Sequence, residues 1–182
     1  ALPGPSLFLT HYTHREMACR QNFSEACEKA LNEQINAELT ASYIYRSMAA
    51  YFARCDVALA GFQKKFLHDA KEETDHAQMM IDYMNMRGGR VILTAIAAPK
   101  QDWAKPLEAL EDALALEKDV NAKLIALHEV ADEAKDAQMC DWIEGEFLKE
   151  QVEAIYDLAK EITNLKRVGD GLGLYMFDKN LN

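Results

Sequence analysis

The chain has 182 residues, 49% of them hydrophobic, and a formal net charge of -10 at pH 7. That length and apolar fraction suit one domain with a sizeable core. The negative charge argues against nucleic-acid and anionic-membrane partners and suits the collection of cations, and no apolar run approaches the ~20 residues of a membrane span.

Residues 1–23 read as an irregular extension, with Pro3, Gly4 and Pro5 near its start, ahead of one domain over 24–182. Ala at position 1 reads as a processed or trimmed start, and the apolar stretch 7–9 is too short for the core of a signal sequence. Cys19, Cys27, Cys55 and Cys140 contain no CxxC pair, so no thiolate zinc site or dithiol redox motif is expected. Cys19 and Cys27 lie close enough in sequence to be either a disulfide of a secreted protein or two free thiols.

Ser24 is a candidate N-cap for a helix over about 24–52. Its apolar register, 31, 35, 38, 42, 45, 49 and 52, alternates steps of four and three, the mark of a stripe facing a bundle. After a turn at Arg54, Cys55 and Asp56, a second helix is predicted over 58–86, with the stripe Phe62, Phe66, Ala70, 73, Ala77, Met80 and Met84. Gly88 and Gly89 end it. Residues 87–105 are too long for a turn between antiparallel neighbours and read as a crossover along the bundle, leaving helices two and three parallel. Pro106 opens a third helix to about 133, with the stripe 110, 114, 117, 121, 124, 128 and 131. A fourth covers about 138–167 with 147, 151, 154, 158 and 162. Gly169, Asp170 and Gly171 break the chain before a short apolar helix at 172–181, whose apolar face calls for packing within an oligomer. The expected fold is all-α: a four-helix bundle with a long crossover between helices two and three and a short fifth helix.

Each of the four long helices carries a polar residue on its apolar seam: Glu38, Glu73, Glu117 and Gln151, with His76 one turn beyond Glu73. Any one of these, taken alone, fits a solvated helix face or a hydrogen-bonded histidine. Five together on four seams do not, because unpaired buried charge costs several kcal/mol per group, roughly. The Glu73-x-x-His76 spacing puts carboxylate and imidazole on one helix face. Di-iron bundles use single Glu residues from two helices and Glu-x-x-His from the other two. Here the fourth helix offers Gln151 and Ala154 instead. One half-site therefore has oxygen donors plus imidazole, which suit iron, while the other leans on Glu117, a shared Glu73 and the neighbouring Glu72. A strong site beside a weak one suits iron that reacts and leaves.

These segments resemble the ferritin family. Residues 32–39, 72–77, 87–90, 116–121 and 177–179 look like animal ferritin segments in order, and the resemblance covers about 19–182, of the heavy-chain, catalytically competent type. It implies a ferroxidase centre of Glu38, Glu73, His76, Glu117 and Gln151, with Glu72 as a nearby carboxylate and Tyr45 as a tyrosine behind the ligands. It implies two iron ions per centre, oxidation of Fe(II) to Fe(III) by dioxygen, and ferric mineral held in a shell of twenty-four subunits, of this chain or with other ferritin chains. Tyr45 on its own fits a packed aromatic with a bonded hydroxyl equally well. The resemblance further implies an acidic iron channel at a threefold axis, built from Asp141 and Glu144 with His128 and Cys140 nearby. By themselves, Asp141 and Glu144 read as charges favoured by a helix N-terminus; rings of carboxylates would attract divalent cations.

The chain departs from the family pattern in places. Asp75 is an interior acid suited to nucleating mineral, but Gln78 stands where some relatives are acidic, and Asn180 stands where animal heavy chains often carry His. The N-terminal extension with Cys19 and Cys27 looks like that of some secreted arthropod ferritins, leaving secretion and the cytoplasm both open. Two other functions compete. A bundle oxidase acting on an organic substrate would keep both irons and need a substrate pocket. A purely structural shell subunit would have lost ligands, and Glu38, Glu73, His76 and Glu117 are all present.

Overall fold

The structure, a computed structural model, describes residues 17–181, and residues 1–16 of the predicted extension lie outside them. The helices are α1 (Glu25–Phe52), α2 (Ala60–Met86), α3 (Pro106–Glu133), α4 (Ala137–Ile143), α5 (Lys149–Val168) and α6 (Leu172–Asn180), and among the described residues there are no strands. The fold is the expected all-α bundle with a short C-terminal helix.

Ser24 caps α1 as predicted, its hydroxyl accepting from Cys27 N–H. Every position of the predicted α1 and α2 stripes is buried. On α3 the stripe differs. Ala113, Val120 and Leu127 face the core, while Leu114, Asn121 and His128 sit at its edge. Both registers share 110, 117, 124 and 131 and differ only in which flank of the seam meets a neighbouring helix.

The fourth rod starts at Ala137 behind a buried N-cap, Asp136, and contains a π segment at Glu144–Leu148. The buried residues Met139, Ile143, Phe147 and Gln151 are spaced by four throughout. In an α-helix each such step drifts by about 40°. The wider π turn absorbs that drift and brings Phe147 and Gln151 onto the inner face with Met139 and Ile143.

Hydrogen bonds trace the crossover along α1. Ile92 N–H donates to Asn32 Oδ1 (2.7 Å), Thr94 pairs with Asn36 (2.7 Å), Ser47 donates to Lys100 O (2.6 Å), and Tyr51 donates to Trp103 O. The connection thus runs from the start of α1 to its end. Helices α2 and α3 both run against α1 and so parallel to each other, as predicted.

Helix α2 lacks a cap of its own. Buried Asp178 on α6 supplies it, its Oδ1 accepting from Gly61 N–H (2.8 Å) and Phe62 N–H (3.1 Å). Gly61 is required there because a Cβ would lie 1.8 Å from Asp178 O. Phe177 packs on Phe62 with centroids 5.8 Å apart, while Leu172, Tyr175 and Met176 remain exposed. Cys19 and Cys27 are not joined: all four cysteines are free thiols, with Cys27 buried near Val130 O. No helix among the described residues is long and apolar enough to cross a membrane.

The core divides into two apolar halves. One is built around Leu31, Ile35, Met80, Leu124 and Ile143, the other around Phe52, Phe62, Phe66, Leu110 and Leu158. Between them lies a belt of buried polar groups: Gln34, Glu38, Ser42, Glu73, Glu117 and Gln151.

Candidate metal centre

Helices α1 and α2 bring Glu38, Glu73 and His76 together, with one ligand atom from each lying within 4.8 Å of the others. Glu38 is 1% and Glu73 4% exposed. With Glu117 and Gln151 they line a cavity of about 260 Å³, to which Phe147 and Leu158 contribute apolar walls.

Hydrogen bonds fix several of these groups. Gln34 Nε2 donates to Glu38 Oε1 (2.8 Å), and Tyr45 O–H donates to Glu117 Oε1. His76 Nδ1 lies 3.3 Å from Glu73 Oε2, and its Nε2 lies 3.3 Å from Glu150 Oε2. The second contact is an ion-pair distance that places a carboxylate behind the ring, where such a group orients an imidazole offering its other nitrogen to a metal. Two buried acceptors of the centre have no hydrogen-bond partner among the described residues: Glu38 Oε2 and Gln151 Oε1. An orphaned carboxylate oxygen and an orphaned amide oxygen in one cavity are costly to bury unless a cation meets them.

Electrostatics says the same. Burial first, and then the Glu73 charge, hold Glu38 well above the usual carboxylate range, although the Gln34 amide pulls the other way. Glu73 is pushed up to about 8 by burial and next by the Glu117 charge. Burial and the Glu117 carboxylate also raise Tyr45. Buried acids crowded together hold protons, and a divalent cation reverses that preference. The donors are carboxylate and amide oxygens and one imidazole, with no thiolate, a set that suits iron.

The other predicted site residues stand apart from this group. Glu72 is exposed; it lines the same cavity but faces His68, 3.2 Å from its Nδ1, in a second group with Asp69. His128 Nε2 meets Glu144 Oε1 at 2.7 Å across α3 and the fourth rod, and Asp141 lies exposed one turn before Glu144. Asp141 and Glu144, the carboxylates expected at a channel, are therefore on the surface and outside the lining of the inner cavity.

Residues 28–168 match the ferritin family, described as a ferritin-like domain. The chain belongs to the ferritin family. It is 53% identical over 161 residues to the soma ferritin of Lymnaea stagnalis, covering 88% of this chain and 92% of that one. It is 51% identical over 162 residues to ferritin-1 heavy chain of Schistosoma mansoni, covering 88% and 94%. It is also 51% identical over 161 residues to the ferritin heavy chain of Echinococcus granulosus, covering 88% and 93%. This ferritin is of the heavy-chain type, an iron-storage subunit of a family whose members generally assemble into oligomeric shells.

Three residues around the centre escaped the sequence reading. Glu150 reads as a solvent-facing acid beside Gln151, and only the packing of the fourth rod on α2 brings it to His76. Gln34 lies one turn before Glu38, an i, i+4 spacing that could have exposed it. Lys65 lies two turns before Glu73 on the same side of α2, where a lysine reads as solvated.

Proposed function

We propose that this ferritin subunit is a ferroxidase, oxidising Fe(II) to Fe(III) with dioxygen at a two-iron centre inside the bundle. The observation that carries the proposal is the convergence of Glu38, Glu73 and His76 within 4.8 Å beside the orphaned oxygens of Glu38 and Gln151. Iron is the substrate and the cargo. Glu38, Glu73 and His76 bind the first ion; Glu73 and Glu117 bind the second, with Gln151 turned toward it. Carboxylates favour the higher charge of Fe(III) over Fe(II), so the ligand set lowers the barrier to electron loss by stabilising the charge that develops. Tyr45 holds Glu117 in place, and Glu150 holds the His76 ring.

The second ion has no imidazole, so it is held less firmly. That suits product release into a mineral, whereas an oxidase of organic substrates needs both metals to stay. The shell is of twenty-four subunits, and Asp141, Glu144 and His128 line the cation path into it at the threefold axis.

The test is ferrous oxidation by the assembled wild-type shell against a Glu73→Ala, His76→Ala double variant. Oxygen uptake and ferric absorbance are followed, with particle size measured in parallel. Loss of fast oxidation in shells of unchanged size is expected. Equal rates would overturn the catalytic assignment, and a wild-type particle of monomer size would overturn the shell.

A further inference from the structure

The same cavity holds a second ionic group that the ferroxidase reading does not use. Lys65, Asp69 and Glu73 stand at i, i+4 and i+8 on α2, so they share one inward stripe. The Lys65 ammonium lies 3.4 Å from Asp69 Oδ2 and 3.4 Å from Glu161 Oε2 on α5. The Lys65 side chain is only 15% exposed and that of Asp69 16%. Neither contact has the roughly 2.7–2.9 Å length of a tight charge-assisted pair. The ammonium thus bridges two carboxylates without a tight pair to either, and among the described residues Glu161 Oε2 makes no hydrogen bond.

The other Asp69 oxygen faces His68 Nδ1 at 3.8 Å, and His68 in turn meets Glu72 at 3.2 Å. Ligand atoms of His68, Asp69 and Glu72 lie within 4.8 Å of one another. All of these side chains, with Lys65 and Glu161, line the cavity that contains Glu38, Glu73 and Glu117. The wall beside the centre therefore carries its own set of hard donors, with a fixed positive charge at the middle. An ammonium between two carboxylates does the electrostatic work of a metal ion, but it cannot leave.

We propose that Lys65 is a specificity-determining residue: its ammonium stands where a divalent cation would bind between Asp69 and Glu161. It thereby keeps these carboxylates from competing with Glu38, Glu73 and His76 for iron. This rests on the ferroxidase reading for its consequence, but its test does not depend on oxidation. Among the described residues, Lys65 is the one lysine or arginine lining the cavity beside Glu38, Glu73 and Glu117, and with it paired to Asp69 and Glu161 those glutamates are left to the entering ions.

The probe is zinc(II), which has no redox chemistry, titrated calorimetrically into metal-free assembled shells. Lys65→Met keeps an unbranched side chain, shorter by one atom, and removes its charge. It should bind one more zinc per subunit than wild type, and Lys65→Met, Asp69→Asn should lose that zinc again. Lys65→Arg should match wild type, and so should Asp69→Asn alone, because Asp69 is already occupied by lysine. An unchanged stoichiometry in Lys65→Met would overturn the proposal, as would a lost site in Asp69→Asn alone. Should Lys65→Met not assemble, Lys65→Gln replaces it, and the Asp69→Asn arm decides independently. Failure of the ferroxidase reading would show separately, as Glu73→Gln shells that bind as much zinc as wild type.

Discussion

Replacing Glu73 with glutamine should stabilise the metal-free protein while destroying its chemistry, and the stabilisation should grow with pH. Glu38 and Glu73 are both nearly fully buried, with ligand oxygens within 4.8 Å of each other. Two ionised carboxylates at that distance repel by about 3.5 kcal/mol at an effective dielectric constant of about 20. The Glu73→Gln change removes one charge and keeps the shape, and the new amide is placed to donate to the orphaned Glu38 Oε2. The sign with pH follows from Glu73 being pushed up to about 8. A carboxyl whose pKa is raised on folding costs stability wherever the unfolded chain is ionised and the folded one must either stay protonated or bury a charge. Wild-type stability is therefore lost as pH rises from the ordinary glutamate range through about 8, and the Glu73→Gln variant escapes that loss. Near pH 5 the two proteins should melt together. Above pH 8 the variant should be more stable by up to about 3 kcal/mol per subunit, or roughly 6–12 °C in melting temperature for a chain of this size. The assay is calorimetric melting of chelator-treated shells at matched protein concentration, at pH 5 and pH 9, with and without zinc. Zinc should raise the wild-type midpoint and leave the variant nearly unmoved. A variant that melts below wild type by the same margin at both pH values would refute the reasoning, because Glu73 would then be a structural hydrogen-bonding group and not a ligand awaiting a cation.

Other outcomes are equally specific. Glu150→Gln should weaken zinc binding at the centre by about tenfold while leaving shell size unchanged, since it removes the negative partner behind the His76 ring (3.3 Å); an unchanged calorimetric isotherm would contradict that role. Tyr45→Phe deletes the hydroxyl that donates to Glu117 and should destabilise the metal-free shell by about 1.5–3 kcal/mol, the range for a hydrogen bond to a charged group, with slower ferrous oxidation in stopped flow. Gly61→Ala would push a methyl against Asp178 O and should cost about 1–3 kcal/mol by overpacking, read as a lower melting temperature and a larger monomer fraction in gel filtration. Asp141→Asn, Glu144→Gln should slow iron uptake most at low ionic strength, where screening of surface charge is weakest; identical uptake at low and high salt would argue against the channel.

Much of this was legible because helical spacing converts directly into faces. The α1 and α2 stripes named from sequence are buried without exception, and the polar exceptions on them, Glu38 and Glu73, line one cavity. Gln151 was legible for the same reason, although the π segment that turns it inward was not. A run of steps of four looks like an ordinary stripe until the drift over three turns is followed. On α3 the reading chose the wrong flank at three positions, taking 114, 121 and 128 in place of Ala113, Val120 and Leu127. The period allows either flank, and the side on which α1 and the fourth rod lie decides between them. That shift has a consequence for the proposed channel, because it leaves His128 at the edge of the core, 2.7 Å from Glu144.

Local patterning was enough for the placement and length of the long helices, the parallel pair implied by the long connection, and the buried acids that make a metal the natural occupant. Those features are set by a period along one helix and by the desolvation cost of charge. Packing alone chose which side chains stand behind the ligands. Glu150 reaches His76 only because the fourth rod packs on α2, Asp178 caps α2 from 117 residues away, and Lys65 finds Glu161 across two helices. Such contacts depend on the distance between helices and on their rotation about their own axes, and no periodicity along one helix encodes either.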